Sequence, residues 1–320
     1  MENTTAELIR TACPVCGAST QEAKEFFFRD WRGYENLTPF TFYHVYGCPI
    51  CGMVYAGNMQ ISMSLAQYYT KMSRYEGKNY TQSKKAQVAY QRVAKHITTI
   101  VEKRASILDI GCSYGGLLNA LKEQGFQYLH GLEPSTKNVQ FAREHFNLSV
   151  TCGGLGCGNL LHERFQTVIL STVLEHLERL HESIEEIKAY LSPRGKVIII
   201  VPDVDGFAIH ENLYQDFSIE HINFFSIRAL QELFVKHGMR LVISSLIEGA
   251  IPEESPLSLT VWEEGKTSLP RTTPDFSNLK SYIHKCEQVA DRERERILTL
   301  TKYGGGGVCL GCWNTYSYVA

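Results

Sequence analysis

Four of the ten cysteines fall into two matching segments, Cys13-Pro14-Val15-Cys16-Gly17 and Cys48-Pro49-Ile50-Cys51-Gly52. A C-x-x-C turn presents two thiolates to one ion, and the glycine after it accepts backbone angles that a side chain resists. Two such turns supply the four sulfurs of a tetrahedral site, the donor set that structural zinc takes. With cysteine at every coordination position, such a site holds a fold together and performs no reaction. The sequence therefore predicts Zn2+ on Cys13, Cys16, Cys48 and Cys51. A third pair, Cys309 and Cys312, has the same spacing without a matching pair nearby, and we read it as metal-free.

A second constellation lies in the middle of the chain. The segment Ser106-Ile107-Leu108-Asp109-Ile110-Gly111-Cys112-Ser113-Tyr114-Gly115-Gly116 reads as a buried strand running into a glycine turn, and Leu117 to Gln124 as the helix after it. Such a turn brings backbone amides close to a ligand and places an anionic group at a helix N-terminus. The next strand, near Tyr128 to Leu132, ends in Glu133, 22 residues after Gly111. An acid there can accept two hydroxyl hydrogen bonds from a ribose. The glycines are spaced Gly111-x-x-x-Gly115 and not G-x-G-x-x-G, and Asp109 sits at a strand end where dinucleotide folds place an apolar residue. Both details speak against NAD.

The elements that must position these residues follow from periodicity. Apolar residues at Ala86, Ala89, Val93, Ile97 and Ile100 predict a helix before the glycine-turn strand. After Glu133 come a helix over Ser135–His145, a strand over Thr167–Ser171, a helix over His176–Leu191 and a strand over Lys196–Val201. A helix over Ile227–His237 follows, with Ser226 as its N-cap. The strands Arg240–Leu246 and Leu257–Trp262 close the series. Strand–helix alternation makes a parallel sheet covered on both faces, and two final strands without a helix between them require one antiparallel member. The 31 residues between the cysteine pairs predict an extended hairpin rich in aromatics: Phe26, Phe27, Phe28, Trp31, Tyr34, Phe40, Phe42, Tyr43 and Tyr46. These read first as the core of a small domain and, alternatively, as a substrate-facing surface.

Here the sequence resembles the class I S-adenosylmethionine-dependent methyltransferases. Their first motif is similar to Leu108-Asp109-Ile110-Gly111-Cys112 with a second glycine at Gly115. Their second-strand acid matches Glu133, their fourth-strand segment Ser171-Thr172-Val173-Leu174-Glu175-His176-Leu177, and their fifth strand Gly195 to Pro202. The likeness covers about residues 80 to 265. It implies an α/β Rossmann-like methyltransferase sheet, mostly parallel with its last hairpin strand antiparallel, behind a small N-terminal zinc-ribbon domain. It also implies S-adenosylmethionine as cofactor, with Asp109, Gly111, Cys112, Gly115, Glu133, Ser171 and His176 around it. The family often carries an acid near the adenine amine after its third strand. Gly153 to Leu160 has none, so Leu155 or backbone atoms are expected to serve there.

Methyl transfer from a sulfonium needs an acceptor that is positioned and, where necessary, deprotonated. A histidine suits that task near neutral pH. The long connection after the fifth strand holds His210, Tyr214, Asp216, Glu220 and His221. Glu220-His221-Ile222-Asn223-Phe224-Phe225-Ser226 resembles a motif of methyltransferases that carry a four-cysteine zinc domain, several of which act on nucleotide-linked deoxysugars. Where that subgroup reads Tyr-His-Glu-His, this chain has Ser218-Ile219-Glu220-His221, so its keto-sugar mechanism does not carry over whole. We expect His221 as base, with Glu220 orienting it or the acceptor; the alternative is a structural hydrogen bonder at a loop–helix junction. Tyr69 and Tyr75 lie where related two-domain enzymes cover the cofactor, although a helix that packs the two domains together would use the same residues.

These readings divide the chain into a zinc-binding domain over 1–75, a methyltransferase domain over 76–265, and a helix with a glycine-rich tail over 266–320. The tail resembles the start of the third domain found in longer sugar methyltransferases. Composition sets the outer limits. Hydrophobic residues at 44% and charged residues at 21% describe a globular chain, and a net charge of −2 gives no reason to expect a polyanion. The longest aliphatic run, Val197 to Val201, is far short of the ~20 residues of a spanning helix, and Met1 to Thr11 shows no secretory signal, so a cytoplasmic location is expected. Between the knuckles Lys24, Arg29 and Arg32 are offset by Glu22, Glu25, Asp30 and Glu35. That balance speaks against an RNA acceptor and leaves a small-molecule acceptor, a nucleotide sugar above all; a non-catalytic zinc-bearing scaffold is the remaining alternative.

Overall fold

The computed structural model describes residues 6–8, 10–32, 39–61, 65–71, 84–157, 160, 162–209, 217, 220–247 and 256–302. Tyr34, Tyr75, His210, Tyr214, Asp216 and the pair Cys309 and Cys312 lie outside them.

Seven strands form the larger sheet: β5 (Ser106–Ile110), β6 (Tyr128–Glu133), β7 (Ser149–Cys152), β8 (Phe165–Ser171), β9 (Leu191–Pro202), β11 (Met239–Ile247) and β12 (Leu257–Glu264). Their spatial order is β11-β12-β9-β8-β5-β6-β7. Counted in chain order within this sheet and read from the other edge, that is 3-2-1-4-5-7-6. The pairs β5/β6, β5/β8, β6/β7 and β8/β9 are parallel. Strand β12 is antiparallel to both β9 and β11 and is the expected reversed member. Strand β9 carries the run Val197 to Val201 with no exposed side chain, as a central strand covered on both faces requires. The order reverses between β5 and β8, which opens a crevice at their carboxyl ends.

Helices cover this sheet. Lys84–Thr98 buries Ala86, Ala89, Val93, Ala94 and Ile97. Gly116–Glu123 buries Leu117, Leu118, Ala120 and Leu121. Thr136–Phe146 and Ile227–Lys236 begin at side-chain caps, where Ser135 and Ser226 accept from the amides of Asn138 and Ala229. Two boundaries differ from the sequence reading. The helix expected from His176 starts at Leu180, because Leu174–His176 forms a separate tight turn that ends on extended Leu177. Strand β9 begins at Leu191 and not Lys196, since Leu191 pairs with Phe165 although Pro193, Arg194 and Gly195 follow.

The smaller sheet has the order β1-β4-β3-β2, built from β1 (Ala6–Leu8), β2 (Lys24–Asp30), β3 (Phe40–Gly47) and β4 (Val54–Ile61). Strands β2 and β3 are the hairpin expected between the cysteine pairs. A fifth strand, β10 (Asn223–Phe224), joins β4 antiparallel, with Asn223 opposite Tyr55 and Phe224 opposite Val54. A segment from far along the chain thus completes the N-terminal sheet.

Two apolar clusters pack the smaller sheet, the first against the larger sheet and the second against the connection after β9 and the long C-terminal helix. One gathers Cys13, Val15, Cys48 and Cys51 with Leu108, Val168, Val197, Leu233 and Trp262. The other joins Phe27, Phe40 and Tyr43 to Phe207, Phe217, Phe224, Leu279, Tyr282 and Ile283. The last three residues belong to the long helix Ser277–Lys302, whose first turns are therefore buried against the aromatic hairpin. Phe27, Phe40, Tyr43 and Tyr46 are core residues, whereas Phe26, Phe28, Trp31 and Phe42 are half-buried. No helix among the described residues is long and apolar enough to cross a membrane.

Candidate active site and cysteine centre

The four N-terminal cysteines converge. Cys13 Sγ lies 3.5 Å from Cys51 Sγ, and Cys16 Sγ 3.4 Å from Cys48 Sγ. Each knuckle closes in the same way: Gly17 N donates to Cys13 O and Gly52 N to Cys48 O, both at 3.0 Å. Gly17 and Gly52 take φ of 80° and 79°, the conformation for which the sequence supplies glycine. Four sulfurs on one tetrahedral ion, at ~2.3 Å each, sit ~3.8 Å apart, so the observed spacing fits such an ion closely. The thiols share one another's protons. Donation from Cys13 and Cys51 favours the thiolate on Cys48, while Cys13 is pushed up to about 12, chiefly by its bond with Cys48. The knuckle is also tied to the larger domain, because Val15 O accepts from His181 Nε2 at 3.1 Å and from Lys236 Nζ at 2.9 Å.

The glycine turn lies at the carboxyl end of β5, in the crevice. Gly111 and Gly115 have φ of 70° and 81°. A Cβ on Gly111 would stand 2.6 Å from Val173 Cγ2, and one on Gly115 2.6 Å from Leu148 Cδ1. Side chains are thus excluded on steric and conformational grounds together. Asp109 and Glu133 are both buried. Burial, reinforced by the nearby charge of Glu133, pushes the Asp109 carboxyl up to about 8. Glu133 fixes the loop: Oε2 accepts from Ser113 N at 2.9 Å, and Oε1 from Ser135 N at 2.9 Å and Asn138 Nδ2 at 3.2 Å. Cys112 is buried, and its sulfur fills the place where Gly131 lacks a Cβ. Ser171 ends β8, and its carbonyl accepts from Thr172 Oγ1 at 2.7 Å. Leu155 packs half-buried on the main core. Around Gly154 and Gly156 there is open space. A rigid glycine cradle with two buried acids at the switch point suits a nucleoside cofactor that carries positive charge.

Beyond Val173 the chain gathers polar groups. Tyr69 OH lies 2.8 Å from His176 Nδ1, and Glu220 O lies 3.0 Å from that nitrogen. A carbonyl only accepts, so this contact is a hydrogen bond when Nδ1 carries a proton, and in that neutral tautomer the lone pair lies on Nε2. The rings of His176 and His221 meet nearly at right angles, 4.7 Å between centroids. Tyr68 OH donates to Glu220 Oε1 at 2.5 Å. The sequence-predicted residues Tyr69, His176, Glu220 and His221 are therefore together, and Asp109, Gly111, Gly115 and Glu133 form a neighbouring group. Tyr69 sits against His176 and the Glu220 carbonyl.

Sequence reasoning missed four contributors. Tyr68 holds Glu220, and Glu175 is buried beside the two histidines. Asn223 donates from Nδ2 to Leu174 O at 3.1 Å and Leu177 O at 2.8 Å, while Ile222 N donates to Glu175 O at 3.0 Å. Arg10, largely withdrawn from water, donates to Asn223 Oδ1 at 3.0 Å, Ile222 O at 3.1 Å and Glu178 O at 3.2 Å. Burial lowers its guanidinium to about 10. Glu175 and Asn223 lie inside the quoted segments 171–177 and 220–226, which were the local signals for them.

Sheet order, glycine cradle and paired acids define a class I methyltransferase fold. The chain belongs to the methyltransferase-domain family, whose model matches residues 83–243, half of its length. It is an S-adenosylmethionine-dependent methyltransferase by class. It is 23% identical over 160 residues to an uncharacterized methyltransferase of Alkaliphilus oremlandii, a match covering 45% of this chain and 72% of that protein. It is 31% identical over 122 residues to the tRNA U34 carboxymethyltransferase of Pseudoalteromonas translucida, covering 37% of each. Among solved structures, a methyltransferase of Thermotoga maritima described as a possible histamine N-methyltransferase aligns over 57% of this chain and 91% of its own at 19% identity, with a TM-score of 0.45.

Proposed function

We propose that this enzyme transfers a methyl group to a small metabolite, a nucleotide-linked or glycan sugar, with His221 as the base and a structural zinc on its four N-terminal cysteines. The observation that carries this reading is the convergence of half-buried Tyr69 with buried His176, Glu220 and His221 one turn beyond Val173, which itself packs on Gly111 of the cradle. S-adenosylmethionine supplies the electrophilic methyl. Asp109 and the glycine turn would hold its charged end, Glu133 its ribose, and Leu155 its adenine. His221 removes the acceptor proton, and Glu220, braced by Tyr68, positions it. The four cysteines keep the β4–β10 pairing in place and stay outside the chemistry. The resemblance of residues 220–226 to the sugar-modifying subgroup supports the acceptor class.

Basic groups of the hairpin do not favour RNA. Arg32 is ion-paired with Asp30, and the Arg29 guanidinium lies 4.6 Å over the Trp31 ring and is buried. Labelled S-adenosylmethionine incubated with nucleotide sugars and, separately, with total RNA tests the reading. Label in the sugar fraction is expected; label only in RNA would replace this acceptor class with the other.

A further inference from the structure

Glu175 has no role in the reading above, yet it is 1% exposed beside His176 at 7% and His221 at 9%. One potential ligand atom of each lies within 4.8 Å of the other two. Ligand atoms around one divalent ion at ~2.1 Å are separated by roughly 3.4–4.2 Å, so small side-chain rotations would seat an ion among them. A metal on His176 Nε2 requires the proton on Nδ1, and the Glu220 carbonyl, 3.0 Å from Nδ1, is placed to accept it, which would orient the ring and raise the basicity of Nε2. Two imidazoles meeting nearly edge to face can aim nitrogens at one point without stacking. Two neutral nitrogens and one carboxylate suit zinc, cobalt, nickel or copper, and not the all-oxygen shells of magnesium or calcium.

We infer that Glu175, His176 and His221 bind one divalent transition-metal ion, and that the bound ion stops methyl transfer. The ion and the acceptor proton compete for the same lone pair on His221. The inhibitory half rests on His221 as base; the binding half does not. This site differs from the cysteine centre in containing no sulfur.

Full-length protein with its cysteines loaded with zinc is titrated with Co2+, followed by calorimetry and visible absorption. One further ion per chain is expected, with weak ligand-field bands and no sulfur-to-cobalt charge transfer. Glu175→Gln keeps the side-chain size, removes the anionic donor and should weaken Co2+ at least tenfold. No further ion, a charge-transfer band, or an unchanged isotherm in Glu175→Gln would overturn the site. If that variant does not fold, pulsed electron paramagnetic resonance of Cu2+ on the unaltered protein decides: coupling to two imidazoles supports the site, and fewer than two refutes it. Methyl transfer should fall in step with Co2+ occupancy. Binding with turnover intact would support the metal site and overturn the inhibition, with His221 as base.

Discussion

Arg10 donates to Asn223 Oδ1 at 3.0 Å, and Asn223 passes its own two amide hydrogens to the carbonyls of Leu174 and Leu177. One side chain thereby connects the N-terminal segment, the strand that follows His221 and the turn that carries His176. The two histidines are held by the same residue, and that residue is held by the N-terminal module.

Asn223→Ala should therefore cost on the order of 2–3 kcal/mol, because two carbonyls lose the Asn223 amide and the Arg10 guanidinium loses one of its acceptors. Asn223 is 1% exposed, so water cannot replace it cheaply. Urea unfolding measures the loss. Cofactor affinity should change less than turnover, since the glycine cradle lies on other elements.

Gly111→Ala should abolish cofactor binding. Its φ is 70° and the new Cβ would stand 2.6 Å from Val173. Adding Val173→Ala removes the clash but not the conformational strain, so calorimetry should show at most partial recovery.

Asp109 gives a pH dependence with a defined sign. Its carboxyl is pushed up from 3.8 to about 8 in the folded chain. Between those values the native state holds the extra proton, so stability of the cofactor-free protein falls as pH rises from about 4 to 8 and then levels. Asp109→Asn should flatten that slope in thermal melts. A cationic cofactor favours the ionised carboxylate, so its affinity should rise with pH over the upper part of the same interval.

On the proposed reading of the four cysteines as a structural zinc site, removing the metal should silence turnover. Strand β10 pairs with β4, which follows the second knuckle, and Ala56 N donates to Ile222 O at 2.9 Å. Chelation should speed hydrogen exchange at 1–60 and at 220–226 together, while exchange in β5 and β8 stays slow. Chelator-insensitive exchange at 220–226 would separate the two modules.

Six strands of the larger sheet were legible because each is a short apolar run with a turn or helix signal at its end; β7, four residues with only Val150 buried, carried no such run. The glycine cradle was legible because Gly111 and Gly115 answer to local backbone demands. Strand β10 was not, since two residues carry no periodicity and their partner, β4, lies over 160 positions away. Glu175 was passed over for a related reason: Ser171 to Leu177 reads as a fourth-strand segment with a helix from His176, and no local feature marks the acid as turning inward. The structure breaks after His176, at extended Leu177, and the acid turns in. Tyr69 was singled out as a cover for the cofactor, but only the fold shows that Tyr68 holds Glu220 while Tyr69 meets His176.

The measurement that bears most directly on the account is methyl transfer by His221→Ala, made with calorimetry of S-adenosylmethionine on the same preparation. The account predicts turnover lost while cofactor affinity stays within about twofold of the unaltered enzyme. Undiminished turnover in the alanine variant would contradict it.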